Sequence, residues 1–163
     1  MISSKKVVLL GHFGVGKTSL FRRFIDDAFS EDYKVTLGVQ IKKKVVQLPN
    51  GNDLSMIIWD TEGHTDIEDT RKSYLLGSHA FIYVFDITRE ETYKNIHQDL
   101  AYLTKIHAKV LIKVIGNKID LIKEKTAKDQ LKALAIDVDC FTSAKTNKNV
   151  YEFFSDLAKE LTL

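Results

Sequence analysis

Hydrophobic residues fall along this chain in short continuous runs, separated by longer stretches in which they recur at helical spacing. Lys5-Lys6-Val7-Val8-Leu9-Leu10 is the first run and reads as a buried strand, while Thr18-Ser19-Leu20-Phe21-Arg22-Arg23-Phe24-Ile25 reads as a helix. A polar, irregular segment follows, from about Asp26 to Leu37. Val39 to Leu48 and Leu54 to Trp59 then flank Pro49-Asn50-Gly51-Asn52-Asp53, in which Asn50-Gly51 is a hairpin signal. Beyond the hairpin, strands at about 80–86, 110–116 and 138–141 alternate with helical stretches near 68–76, 90–106 and 126–135. A last helix, from about 147 to 161, carries Val150, Phe153, Phe154, Leu157 and Leu161 as one core-facing stripe. Strand and helix in series, with strands of nearly continuous apolar character, imply an α/β fold. The expected sheet has six strands and is mostly parallel, with one antiparallel edge strand and helices on both faces. No linker, repeat or low-complexity tract divides the chain, so residues 1–163 are expected to form one domain.

Composition narrows the class. Charged residues are 28% and hydrophobic residues 44%, the balance of a soluble globular protein. A net charge of +2 gives no reason to expect nucleic acid or an anionic membrane as partner. Lys42-Lys43-Lys44 reads as a device that keeps an edge strand from pairing, in preference to a basic patch. The single cysteine, Cys140, excludes an internal disulfide, makes a reducing compartment the default, and reads as a small buried apolar residue. No apolar run approaches the roughly eighteen residues of a membrane span, and Ala80 to Phe85 is among the longest. The N-terminus has no signal-length apolar core, residue 2 is Ile2 where myristoylation needs glycine, and Glu160-Leu161-Thr162-Leu163 offers no cysteine to prenylate. The expectation is a cytoplasmic monomer without direct membrane insertion or a lipidation site, recruited to membranes through partners or a missing tail.

Four loops carry chemistry, each at the carboxyl end of a strand, where ligands of parallel sheets bind. Gly11-His12-Phe13-Gly14-Val15-Gly16-Lys17-Thr18 fits the phosphate-cradling pattern G-x-x-x-x-G-K-[ST] at every position, and Ser19 continues it into the helix. Its glycines allow backbone N–H groups to wrap a triphosphate at a helix N-terminus, Lys17 supplies a point charge to the β- and γ-phosphates, and the Thr18 hydroxyl is placed to ligate Mg²⁺. In Asp60-Thr61-Glu62-Gly63-His64, a carboxylate at a strand end can hold the Mg²⁺ shell and a glycine can offer its N–H to a γ-phosphate. In Asn117-Lys118-Ile119-Asp120, Asp120 offers two acceptors to adjacent N–H donors, which guanine has and adenine lacks, while Asn117 and Lys118 brace the loop and cover the base. In Thr142-Ser143-Ala144-Lys145, backbone N–H groups of Ser143, Ala144 and Lys145 are available to the guanine carbonyl oxygen.

In this order and at these strand ends, the four loops resemble those of the Ras-like small GTPases, across essentially all 163 residues. Within that superfamily the chain is similar to the Rab branch, through Tyr33 to Val39, Trp59-Asp60-Thr61 and Ala80 to Thr88. The resemblance implies a small G-domain of the P-loop NTPase class that binds GTP or GDP with Mg²⁺. It implies that Phe29 lies against the guanine plane, that Tyr33 closes over the phosphates, and that Thr36 binds Mg²⁺ and the γ-phosphate. Thr36 would anchor switch I, about 27–39, and Gly63 switch II, about 60–76, both released when the γ-phosphate is lost. Effectors, exchange factors and GTPase-activating proteins are the implied partners. Lys17, Thr36, Gly63 and His64 are the implied catalytic set.

Three residues depart from the family. His64 replaces the glutamine that orients the attacking water, Glu62 replaces the usual alanine, and Phe13 stands where a glycine or small residue is usual. A histidine can hydrogen-bond a water, as the similar Asp-Thr-x-Gly-His segment of translational GTPases implies. Phe13 either crowds the γ-phosphate or folds outward onto switch I, and crowding implies slow intrinsic turnover. No arginine stands out as a finger in cis. The leading expectation is a GTP-hydrolysing switch, slow unless a partner assists. Its alternatives are a GTP-binding scaffold with negligible hydrolysis and an unrelated phosphate-loop ATPase or kinase, the last opposed by Asn117-Lys118-x-Asp120.

Overall fold

The computed structural model describes residues 2–163. Its central strand, β1 (Ser3–Leu10), buries its last four residues and runs parallel both to β3 (Asp53–Thr61) and to β4 (Ala80–Asp86). β2 (Val39–Gln47) pairs antiparallel outside β3, and β5 (Leu111–Asn117) and β6 (Cys140–Phe141) extend the opposite side in parallel. The order is β2-β3-β1-β4-β5-β6, the six-stranded, mostly parallel sheet with one antiparallel edge strand that the pattern implies. Every residue of β4 is buried, because helices cover both faces at the centre of the sheet, so its sequence runs apolar without alternation.

Two cores result. On one face α1 (Lys17–Asp26) and α5 (Val150–Glu160) pack through Leu20, Phe21, Phe24, Phe153, Phe154 and Leu157. The Phe24 and Phe154 rings stack 4.0 Å apart and tie the two helices together. Such a pair contributes on the order of 1 kcal/mol beyond the burial of its rings. On the other face lie α2 (Lys72–Leu75), α3 (Ile96–Ile106) and α4 (Glu124–Ala133), contributing Leu75, Ile96, Leu103, Ala127 and Leu131.

Several expected elements are shorter than their patterns, the last helix among them, at Val150–Glu160. The stretch near 68–76 is a 3₁₀ turn, Ile67–Asp69, and then only the four residues of α2. The Asp66 carboxylate accepts the Glu68 N–H and fixes the turn, and Gly77, at φ 68°, follows immediately after. The stretch at 90–106 opens with a 3₁₀ turn, Glu90–Thr92, and is α-helical only from Ile96, because Thr92 is bound to the end of β4: its hydroxyl accepts the Asp86 N–H at 3.0 Å and lies 3.1 Å from the Asp86 carbonyl. β6 keeps two residues because the Asp139 carboxylate, not a strand carbonyl, takes the Val114 N–H at 2.7 Å.

Candidate functional site

The loops after β1, β3, β5 and β6 meet at one rim of the sheet, around a cleft of about 310 Å³. Phe13 to Ser19, Phe29, Tyr33, Thr36, Gly63, Asn117, Lys118, Asp120, Ala144 and Lys145 all line it. Gly11, Asp60, His64 and Ser143 lie behind that lining and contact residues in it. Thr61 and Lys34, from two of the quoted segments, also line the cleft, as do Arg22, Ser30, Glu31, Asp32 and Leu121, which no sequence motif marked.

At the phosphate end, β1 delivers the glycine loop and α1 begins at Lys17. Gly16 has φ 101°, and a Cβ there would stand 2.2 Å from the Asn117 amide nitrogen, so only glycine lets the loop pass beneath Asn117. The Lys17 ammonium donates to the carbonyls of Gly11 and His12 at 2.8 and 2.7 Å. Burial lowers its pKa to about 8, against the opposing pull of Asp60. A cation held this way, at the N-terminus of α1, is matched to a polyanionic chain.

Beside it three oxygens converge. The Thr18 hydroxyl donates to Asp60 Oδ2 at 2.7 Å and lies 2.5 Å from the Thr36 hydroxyl, which must therefore be the donor of that second bond. Asp60 is fully buried, and its Oδ1 has no hydrogen-bond partner. Burial raises its pKa to about 6, with the Thr18 bond and the nearby Lys17 pulling the other way. Two hydroxyls and a carboxylate with a free buried oxygen fit a small hard cation that fills its remaining positions with water and phosphate oxygens. Thr18, Thr36 and Asp60 are the residues that could hold Mg²⁺.

At the other end, Asn117 is clamped: its amide donates to the Val15 carbonyl at 3.0 Å and its oxygen accepts from the Thr142 hydroxyl at 3.0 Å. Ser143, fully buried, donates to Asp120 Oδ1 at 2.7 Å and so fixes the carboxylate that faces the cleft. Lys118 adopts φ 65°, a costly conformation for a side chain with a Cβ. Two bonds hold it there, one to the Gly14 carbonyl at 2.8 Å and one to the buried Asp86 carboxylate at 2.9 Å. Arg23 of α1 donates to the carbonyls of Ala144 and Lys145 at 2.8 and 3.0 Å, pinning the last loop. Asp86 and Arg23 support the site yet belong to no motif; a carboxylate ending the apolar run of β4 was the only hint of the first. Phe29 is half-buried against the core between the cleft and α1, and Glu31 pairs with Lys145 at 2.8 Å across the cleft mouth.

Where the loop after β3 meets the phosphate loop, a Cβ on Gly63 would stand 2.6 Å from the Phe13 N and Cα. The Phe13 side chain, 43% exposed, is turned to the His64 ring, 6.2 Å between centroids, so its ring partner lies on the switch II side and not on switch I. Arg89 Nη1 donates to the Phe13 carbonyl at 3.1 Å, while its Nε binds Glu91. An arginine in cis thus reaches the phosphate loop, although it is spent on a backbone carbonyl. Tyr33 is 64% exposed, and its ring lies within 3.7 Å of the space a Cβ on Gly14 would take. Val35, Leu37, Ile41, Val45 and Leu76 are exposed apolar residues, and Trp59 is half-buried under the Lys6 ammonium. No helix of the described residues is long and apolar enough to cross a membrane.

Comparison with known proteins agrees with this geometry. The family model described as "Ras family" matches residues 6–163. A Ras-related protein, Rab-1A of Dictyostelium discoideum, is 36% identical over 162 residues, covering 96% of this chain and 79% of its own.

Proposed function

We propose, for a chain that belongs to the Ras family and is a Rab-like, GTP-binding small GTPase, that it works as a slow, Mg²⁺-dependent switch read by effectors through segments 27–39 and 60–76. The observation that carries this reading is the meeting of Thr36 with Thr18 and Asp60, at 2.5 and 2.7 Å along one chain of oxygens. That contact ties the polar segment before β2 to the phosphate loop.

In the proposed reaction a water oxygen bonds to the γ-phosphorus while the bond from that phosphorus to the β–γ bridging oxygen breaks. The electron pair leaves with GDP, and the water's proton ends on inorganic phosphate. Loop N–H groups and Lys17 hold the phosphates, and Asp120, Asn117 and Lys118 hold the base. Thr18, Thr36 and Asp60 are the residues that would hold Mg²⁺, whose charge offsets that of the phosphate oxygens. His64 orients the water, and the Phe13 ring beside it restricts the space, which makes turnover slow without an activating partner. Exchange factors and GTPase-activating proteins are the expected regulators, and the chain is expected to act as a cytoplasmic monomer.

Two assays test this. Protein loaded with GTP and Mg²⁺ is followed for single-turnover conversion to GDP, and switch I is probed by limited proteolysis with GDP and with a GTP analogue. Slow conversion together with analogue-dependent protection supports the switch. Intact GTP over many hours with identical digestion patterns supports a scaffold instead, and competition of bound guanine nucleotide by ATP would point to a different phosphate-loop enzyme.

A further inference from the structure

Glu62 does two things at once. Its main chain continues the β2–β3 ladder past the Val39–Thr61 pair, with its N–H donating to the Gly38 carbonyl at 2.8 Å. Its side chain turns back, so that Oε2 accepts the Gly38 N–H at 3.2 Å while Oε1 stands 3.6 Å from His64 Nε2. Both side chains are about three-quarters buried, at 24% and 22% exposure, and the His64 main-chain N–H is directed to the Gly11 carbonyl at 3.4 Å. The imidazole is therefore framed on one side by a carboxylate and on the other by the Phe13 ring.

We propose that Glu62 is a positioning residue for hydrolysis, coupling the closed form of switch I to the orientation of the His64 ring; this rests on the reading of His64 as the water-orienting group. A carboxylate facing Nε2 favours the tautomer with its proton on that nitrogen, which leaves Nδ1 as an acceptor for a water O–H. The 3.6 Å separation is not yet a hydrogen bond, and such contacts tighten when substrate is bound. The other oxygen reports on switch I. Gly38 lies two residues from Thr36, so release of Thr36 moves the Gly38 N–H, frees the carboxylate and slackens its hold on His64. In the open state the water-orienting group is misplaced; in the closed state it is set.

The test is single-turnover GTP hydrolysis by the full chain with Glu62→Ala, Glu62→Gln, His64→Ala and the double variant, with GDP affinity and thermal unfolding as controls for folding. Glu62→Ala should slow hydrolysis roughly tenfold, leave GDP affinity unchanged, and add nothing further in combination with His64→Ala. Glutamine can accept from Gly38 only by presenting its NH₂ to His64, which favours the opposite tautomer. Glu62→Gln should therefore restore protection of switch I from proteolysis without restoring the rate. A purely structural role is indicated if glutamine restores both, and that result overturns the proposal, as do slower hydrolysis by the double variant than by His64→Ala or a normal rate in Glu62→Ala. An unchanged rate in His64→Ala would overturn the underlying assignment of His64 as well, so the two failures are told apart.

Discussion

Replacing Asp86 by asparagine removes a single charge from behind the loop proposed to hold the base, Asn117 to Asp120, and leaves its shape in place. Asp86 is 1% exposed and holds Lys118 through Oδ2 at 2.9 Å, while its Oδ1 accepts the Thr88 N–H at 2.9 Å and the Thr88 hydroxyl at 2.6 Å. The asparagine oxygen can keep both Thr88 bonds. Its NH₂ must then face an ammonium, donor against donor. Breaking a fully buried ion pair costs about 3–5 kcal/mol. Here the lysine is 33% exposed and keeps its bond to the Gly14 carbonyl, so water can take up part of the stranded charge. About 1.5–2 kcal/mol is the expected loss of stability.

Part of that loss reaches the ligand. Lys118 is kept at φ 65° by the two bonds, and with one gone its backbone can relax toward negative φ and shift Asp120, two residues on. If about 1.4 kcal/mol of the bound state is forfeited, guanine nucleotide leaves about tenfold faster. The assay is release of a fluorescent GDP analogue after mixing with excess GDP, with urea unfolding in parallel. Faster release with a comparable loss of stability is expected. Unchanged release beside a clear stability loss would show that Asp86 supports only the fold, and the argument linking it to Lys118's strained backbone would be wrong.

Gly63→Ala places a Cβ 2.6 Å from backbone atoms of Phe13, which cannot yield cheaply; loss of protection by a GTP analogue with GDP affinity kept is expected, and unchanged protection would count against the close approach. Burial raises the Cys140 thiol pKa from 9.0 to about 11, so thiolate at pH 8 falls roughly a hundredfold, and Ellman's reagent should react correspondingly slowly until the protein is unfolded. Asp60 has its pKa raised from 3.8 to about 6 in the fold. The folded state therefore binds that proton more tightly than the unfolded chain, and this contribution is complete below about 3.8 and lost as pH rises through about 6. In nucleotide-free protein with chelator, thermal unfolding should accordingly show a steeper fall in stability between pH 4 and 6.5 for the wild type than for Asp60→Asn, by at most about 3 kcal/mol.

The fold was legible where local pattern and tertiary role coincide. β4 reads as a strand because both its faces are buried, and the phosphate loop reads as a site because its glycines answer a steric demand, such as the 2.2 Å approach of Asn117 to Gly16. What the pattern could not carry are consequences of side-chain reach. Arg23 is a plain helix residue until α1 is laid beside the Ala144-Lys145 loop, 121 positions away. Asp86 acquires its meaning only from Lys118, and Arg89 from the Phe13 carbonyl. β6 and the start of α3 were overestimated for a related reason: the Asp139 carboxylate and the Thr92 hydroxyl each take a main-chain partner that regular structure would have used.

The same accounting supports the proposed response of the segment before β2 to a phosphate. Residues 27–38 form no helix or strand, and Tyr33, Val35 and Leu37 are 64, 54 and 84% exposed, so little apolar burial holds them. Beyond Asp27 and Ala28, which are bonded to the end of α1, and Phe29, which packs on the core, the polar ties of this segment to the rest of the molecule, among the described residues, are at Glu31 on Lys145, Thr36 on Thr18, and Gly38 on Glu62. The first is exposed at both ends, so water screens it and it holds the segment weakly. Ordering so many residues costs more entropy than three such bonds return comfortably, so a contact to a γ-phosphate worth a few kcal/mol can decide the equilibrium. Two of the three ties end on residues of the proposed hydrolytic machinery, Thr36 directly and Gly38 through Glu62. In the proposed switch, the segment that would display the signal and the groups that would end it are therefore held by the same contacts.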